Sequence, residues 1–442
     1  MENPQALWWP LKQFRDWLPP LRREVWILAA GQLLLFIGQG FTLVYASIYF
    51  VNALGFSPTQ VGFAQGCVGV SGVFGRFFAG YAVTSERWGR RGTLLLAAVF
   101  AAIGSFLLAL AATFPLLIAG NLCLGLGISL YWPATLTVTT DLTEPQHLTE
   151  AMALTRLADN LGLGLGALIA GQYIAMSGSY PVLFICKGVA YLLFGLVIVV
   201  TIAETRRAEG APQVRLRDWG AALRDRPFVI FLMANLFFTV YAAQGHSILP
   251  LFLADFVPGG NTATGFSERF ISYFFVWHVM LKIILQLPLT RWLRSHPHST
   301  QLMAALVIWC GAFGLIWLTG QVPHGALPLM MGAFALLSIA EVLYGPSASA
   351  LVGELAPEAA RGIYFSLESE CWAIGFLVGP IFGGWALDHP ALVGPDLWLY
   401  FILSGGLAGG LLVLLRRSLA QALPASPRSA LTTSRQSANS ES

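Results

Sequence analysis

Leu130-Tyr131-Trp132-Pro133, the apolar run on to Asp141, and Gly162-x-x-x-Gly166-Ala167-x-x-Ala170-Gly171 decide the fold, because the chain carries this stretch twice. Tyr131-Trp132-Pro133 returns as Tyr344-Gly345-Pro346, and Asp141 returns as Glu354. The glycine run returns as Gly375-x-x-x-Gly379-Pro380-x-x-Gly383-Gly384. All three pairs stand 213 positions apart (344 − 131, 354 − 141 and 375 − 162), with no gap between them. The chain is two copies of one unit. Each copy is hydrophobic enough for a bilayer, and paired halves in a membrane point to a solute site between them.

Composition agrees. Charged residues make up 11% of the 442 and apolar ones 56%, against about 25% charged in soluble domains. Apolar runs of about 20 residues recur along the length, each able to cross a hydrocarbon core of roughly 30 Å. The reading is an all-α membrane protein in contact with the lipid bilayer, since helices satisfy their own backbone where water is absent. The segment before Trp26 has the wrong order and length for a signal peptide. Cys67, Cys123, Cys186, Cys310 and Cys371 lie in apolar runs and read as reduced, buried thiols.

Twelve spans are expected, near 25–51, 58–83, 93–112, 115–140, 150–176, 181–203, 228–254, 269–290, 300–320, 326–350, 362–387 and 396–415. They form two pseudo-symmetric six-helix bundles, 25–203 and 228–417, joined by a polar linker at 204–227. A leader at 1–24, with Trp8, Trp9 and Trp17, reads as interfacial helix or loose tail. From 418 to 442 Ser, Ala and Pro dominate, and a disordered tail is expected. With the N-terminus in the cytoplasm, nearly all the arginines and lysines outside the spans fall inside, and the outer loops hold only Arg269, at a span end. Both termini are then cytoplasmic.

The first short inner loop reads Ala82-Val-Thr-Ser-Glu86-Arg87-Trp88-Gly89-Arg90-Arg91. It resembles the loop 2–3 signature of the major facilitator superfamily, G-x-x-x-D-R-x-G-R-R. Arg87, Gly89, Arg90 and Arg91 match, while Ala82 and Glu86 replace the glycine and the aspartate. Arg291-Trp292-Leu293-Arg294 is a degraded echo in the second half. The resemblance spans about Trp26 to Arg417 and implies a cytoplasmic latch of Glu86, Arg87, Gly89, Arg90 and Arg91 with Asp141 and Glu354. The arginines also serve simply to fix topology. The drug–proton antiporter branch carries Gly-Pro in span 5; here Ala167 stands in the first copy and Pro380 in the second. Of all branches this one looks nearest, with that departure.

Ionisable residues inside spans are costly and tend to line cavities or pair. At 1.5 Å per residue, Glu341 lies roughly 5 Å below the midplane of span 10, and Lys282 of span 8 about 3–4 Å below it. Depth and sign make them the favoured ion pair, with Glu341 the best-placed proton carrier or a structural bridge. Arg156 and Asp159, three apart on span 5, read as internal neutralisation or as a functional pair. Glu370 and Glu368 sit lower in span 11. His278 and His246 read as hydrogen-bonded bundle residues, with proton relay as the alternative, and Lys187 as a lysine reaching for the interface. Span 1 lacks the acid, and span 4 the arginine, that related proton-coupled exporters carry; Asn121 stands at the arginine's place.

By resemblance, spans 1, 4, 7 and 10 line the central cavity. From the first half they offer Gln39, Asn121, Tyr131 and Trp132. From the second come Asn235, Tyr241, Gln244, His246, Glu341 and Tyr344, with Trp372 from span 11. Aromatic faces around one acid suit a lipophilic organic cation. The expected function is a secondary transporter working by alternating access, exporting a lipophilic or amphiphilic compound against protons. A facilitator or symporter for a polar metabolite, and a non-transporting receptor or scaffold, are the alternatives. H-E-x-x-H, G-x-S-x-G and Walker motifs are absent, so no enzyme activity, cofactor, metal or nucleic-acid partner is expected, and the chain is expected to be a monomer.

Overall fold

A computed structural model describes residues 21–84, 87–144, 147–202, 220–293, 295–357 and 360–422. Among these residues the structure is helical, with no strand. The first half of the chain forms α1 (Arg23–Leu43), α2 (Pro58–Thr84), α3 (Gly89–Ala109), α4 (Phe114–Leu142), α5 (Leu148–Ser177) and α6 (Pro181–Thr201). The second forms α7 (Arg226–Asp255), α8 (Glu268–Leu293), α9 (His298–Thr319), α10 (Ala326–Leu355), α11 (Arg361–Asp388) and α12 (Leu397–Ala422). α1 continues after Val44 through a short turn, Tyr45–Ile48, and a π-helical turn, Tyr49–Ala53. The expected tail from 418 is corrected at its start: α12 carries the helix through Ala422 before the described residues end.

α1 to α6 pack on one another around a core that includes Leu28, Leu94 and Phe194. α7 to α12 do the same around Phe238, Trp309 and Trp398. The two groups meet along α2 with α11 and α5 with α8. Among the described residues, nine helical stretches are long and apolar enough to cross a membrane by length and composition. The long helices outside that set are α2, α5 and α8, all of them seam helices. A seam helix sees less lipid, so it tolerates the glycines of α2, Arg156 and Asp159 of α5, and Lys282 of α8. The outward faces of α3, α6, α9 and α12 are apolar instead, through Ile103, Val200, Val307 and Leu403. An exposed apolar belt of this kind is a lipid contact.

The repeat in the sequence is a repeat in packing. Gly162 and Gly166 press on α1 at Phe36 and Gly40, and their counterparts Gly375 and Gly379 press on α7 at Thr239 and Ala243. The last glycine of each run turns to the other group. Gly171 meets Ser272 of α8, and Gly384 meets Pro58 and Gly62 of α2. A Cβ on Gly384 would strike the Pro58 carbonyl oxygen, so the close approach needs glycine. Gly89 has φ +61°, which lets the chain reverse between α2 and α3.

One end of the bundle carries the turns at Arg87–Trp88, Thr143 and Ala356 and is rich in arginine; the other carries the turns at Gly55, Gly178 and Gly394. At this second end polar bridges cross the seam. Asn52 Nδ2 donates to Asp255 Oδ1 at 2.9 Å, and Thr59 Oγ1 donates to Asp388 Oδ2 at 2.7 Å. Tyr180 Oη donates to Glu268 Oε1 at 2.8 Å, and Tyr45 Oη donates to the Glu268 carbonyl at 3.1 Å. Burial, and then the Glu268 carboxylate beside it, hold the Tyr180 hydroxyl above its ordinary pKa, so it remains a donor. Toward the basic end the seam is bridged by Arg76 and Glu370, Nη1 to Oε2 3.9 Å.

Candidate functional site

The second group of helices builds a charged cluster at its seam face. Lys282 of α8 and Glu341 of α10 approach to 2.9 Å, Nζ to Oε2, each about a fifth exposed. Both helices reach that depth because their flanking residues are apolar, so a single carboxylate and a single amine face each other with few competitors. His278, one turn before Lys282 on α8, brings Nε2 to 3.4 Å from the same carboxylate oxygen. Its Nδ1 is 2.8 Å from Ser338 Oγ. That hydroxyl is 2.7 Å from the Phe334 carbonyl, which can only accept. The hydroxyl is also 3.2 Å from the His278 carbonyl. With its proton on either carbonyl, Nδ1 donates to Ser338, and Nε2 faces the Glu341 carboxylate.

His246 of α7 stacks on Phe376, centroids 6.3 Å apart, and its Nδ1 is buried with no hydrogen-bond partner. His246, His278, Glu341 and Tyr241 line a small cavity of ≈ 20 Å³ with aromatic walls from Phe275, Trp309 and Phe334. A second small cavity, of ≈ 50 Å³, lies in the first group among Phe36, Gln39, Tyr131, Trp132 and Tyr191. There Tyr191 Oη donates to Gln39 Oε1 at 3.0 Å.

The remaining sequence-derived residues fall in several places. Asn121 turns its amide onto the Leu117 carbonyl of its own helix. Asn235 is wholly buried and accepts from Tyr344 Oη at 2.8 Å. Tyr241 bonds Ser404 at 2.7 Å, and Gln244 is buried against the glycines of α11. Trp372 contacts Tyr344 and Phe376. Glu370 is matched with Arg76 of α2, a residue that sequence reasoning passed over because it stands alone in a glycine-rich span. The Arg156 guanidinium sits over the Trp132 ring at 5.3 Å while still acting by charge on Asp159, whose Oδ1 has no hydrogen-bond partner among the described residues. Lys187 does not reach an interface; it is 3% exposed and donates to Thr42 Oγ1 at 2.8 Å.

Of the latch residues, Arg90 Nε meets Asp141 Oδ2 at 2.8 Å, an ion pair within the first group. Arg91 Nη2 donates to the Val199 carbonyl at 2.7 Å, and Arg87 lies 5.9 Å from the Trp88 ring centroid. Glu354 is 3.2 Å from His298 Nε2, within the second group. Glu86 lies outside the described residues.

Sequence reasoning also passed over Ser338. Ser338 is a small polar residue one turn before Glu341, a signal that gains meaning only once α8 is known to face α10.

Residues 28–260 and 247–438 match the family model described as Major Facilitator Superfamily. The Na(+), Li(+), K(+)/H(+) antiporter of Planococcus maritimus is 24% identical over 403 residues, 84% of this chain and 90% of that one. The multidrug resistance protein MdtH of Cronobacter sakazakii (strain ATCC BAA-894) is 27% identical over 382 residues, 81% of this chain and 86% of that one. Among solved structures, the nucleoside transporter NupG superposes with a TM-score of 0.75 at 15% identity, over 89% of this chain and 99% of that one. A bacterial homologue of the human lysosomal transporter Spinster gives 0.68 at 16%, over 91% and 98%. With the family model covering nearly the whole helical bundle, the chain belongs to the Major Facilitator Superfamily and is a multi-pass inner-membrane transporter of that type.

Proposed function

We propose that the chain is a proton-coupled antiporter that exports a lipophilic or amphiphilic compound by alternating access. The observation that carries this reading is the His278–Glu341–Lys282 cluster. It sets an imidazole and an amine within 3.4 Å of one carboxylate beside aromatic side chains, with Ser338 against the histidine. A cationic substrate would compete with a proton for the Glu341 carboxylate, and competition for one site is what couples two fluxes in opposite directions. The names of the relatives, an antiporter and multidrug resistance proteins, support the same class.

In this reading the helices α1 to α12 are twelve membrane spans in two bundles with both termini in the cytoplasm, working as a monomer. The basic end is then cytoplasmic, and the polar bridges at the opposite end close the outer side. This reading takes the structure as an inward-facing state. Arg90–Asp141 and His298–Glu354 are pairs within each bundle here; when the molecule faces outward, the bundles meet at this end and those charges form the cytoplasmic latch.

The test is transport by Glu341→Gln in proteoliposomes. The variant is expected to lose uphill export driven by a pH gradient while keeping downhill movement of the compound. Retained uphill export would refute the assignment of Glu341.

A further inference from the structure

The cavity of the second bundle is lined by His246, His278 and Glu341 together with Tyr241, Trp309 and Trp398. Three of those side chains keep a buried polar atom with no hydrogen-bond partner among the described residues: His246 Nδ1, Trp309 Nε1 and Trp398 Nε1. Tyr241 is not one of them, since its hydroxyl bonds Ser404 at 2.7 Å. Buried polar groups in folded proteins are answered by protein or by water. At ≈ 20 Å³ the cavity exceeds the roughly 10–15 Å³ that one water needs. A water accepts two hydrogen bonds and donates two. The two indole N–H groups can only donate, while His246 Nδ1 and the Glu341 carboxylate can accept. The lining matches one water in number and in polarity.

The depths of these residues set a direction. α7 ends at Asp255 and α8 begins at Glu268, both among the bridges at the end opposite the arginines, and α10 begins at Ala326. His246 is nine residues from that end of its helix (255 − 246), and His278 is ten (278 − 268). Glu341 is fifteen residues in (341 − 326). At 1.5 Å per residue the two imidazoles lie roughly 14–15 Å from that end, and the carboxylate roughly 22 Å. His246 therefore stands on the outer side of Glu341. The charged groups acting on it are Glu341 of α10 and Lys282 and His278 of α8. α11 brings the Phe376 ring, stacked at 6.3 Å, and α9 and α12 bring Trp309 and Trp398, so no charge faces it from those sides of the cavity.

We propose that His246 is a proton carrier on the outer side of Glu341, joined to it through one water held in this cavity. The inference rests on the proton-coupled reading above. A proton arriving on His246 makes an imidazolium, in which both ring nitrogens carry hydrogen. The Nδ1–H bond breaks toward the water as a water O–H bond breaks toward Glu341. A neutral imidazole, an intact water and a carboxylic acid remain, and nothing else is consumed. A histidine suits the task because its charge changes near neutral pH.

The experiment compares two rates in proteoliposomes of the full chain, with the lipophilic cation tetraphenylphosphonium as the compound. One is uptake driven by an acid lumen; the other is compound-for-compound exchange at equal pH on both sides. Exchange needs no proton step, so it reports folding and binding alone. His246→Gln keeps a polar side chain and His246→Phe an aromatic ring, but neither carries a proton. In both, the ratio of driven uptake to exchange is expected to fall roughly tenfold or more. An unchanged ratio in both variants would overturn the inference. So would loss of both rates together, which would assign His246 to the packing of the bundle. A wild-type chain that shows no driven uptake would strike the antiport reading itself, and that record appears before any change at His246.

Discussion

Removing the Glu341 carboxylate should cost more than removing the Lys282 amine, although both changes break the same ion pair. Glu341→Gln strands Lys282, which has Glu341 as its described ionic partner at 2.9 Å. Lys282→Met leaves Glu341 with His278 Nε2 at 3.4 Å, so that carboxylate keeps a second partner. Breaking a fully buried pair costs about 3–5 kcal/mol, and an exposed pair is worth under about 1 kcal/mol. With each side chain about a fifth exposed, the cost of Glu341→Gln should be about 2 kcal/mol, between those limits. The double variant Lys282→Met, Glu341→Gln should recover much of it, giving a coupling energy of about 1–2 kcal/mol. The assay is a reversible detergent titration of the purified protein, with the two single variants and the double variant closing a cycle. Additive costs, or Lys282→Met proving the more damaging, would refute the geometry from which the argument starts.

Other expectations follow from separate parts of the molecule. Lys187→Met should leave stability unchanged or raise it by up to about 2 kcal/mol, because an apolar side chain replaces a buried amine that has only a hydroxyl partner; a marked loss in the same titration would mean that the amine has another task. Asp388→Ala together with Asp255→Ala removes the bonds to Thr59 and Asn52 across the seam. At about 1 kcal/mol for each bond, this should shift the equilibrium toward an outward-open state by roughly thirty-fold, seen as faster labelling of a cysteine placed at the outer seam; unchanged labelling would show that the bridges do not hold that side shut. Gly384→Leu should abolish transport or folded yield, since its side chain would enter the Pro58 backbone, and wild-type export by this variant would contradict the close approach of α2 and α11.

Much of the bundle could be read from the sequence because hydrophobic length and the repeat are strong, local signals. The helix running 326–355 contains the run placed at 326–350, and the one at 58–84 nearly coincides with 58–83. Where helices run on past the apolar stretch, as in α12 beyond Arg417, composition stops informing while hydrogen bonding does not. Depth and opposite sign were enough to place Lys282 opposite Glu341, since a charge at mid-membrane has few affordable partners. Spacing of three puts Arg156 and Asp159 on one helix face, but it says nothing of Trp132 on α4, over whose ring the guanidinium sits. The Lys187 expectation failed: its place near a helix end suggested an interface, whereas α1 lies over it and supplies Thr42.

The most direct measurement is proton movement during transport in proteoliposomes loaded with a pH-sensitive dye and held acid inside. Adding a lipophilic organic cation outside should make the lumen more alkaline with the wild-type chain, as proton leaves while cation enters. His278→Gln and Glu341→Gln should show no such change above protein-free vesicles. Cation uptake with no proton movement, or proton movement that survives in both variants, would contradict an exchange centred on His278 and Glu341.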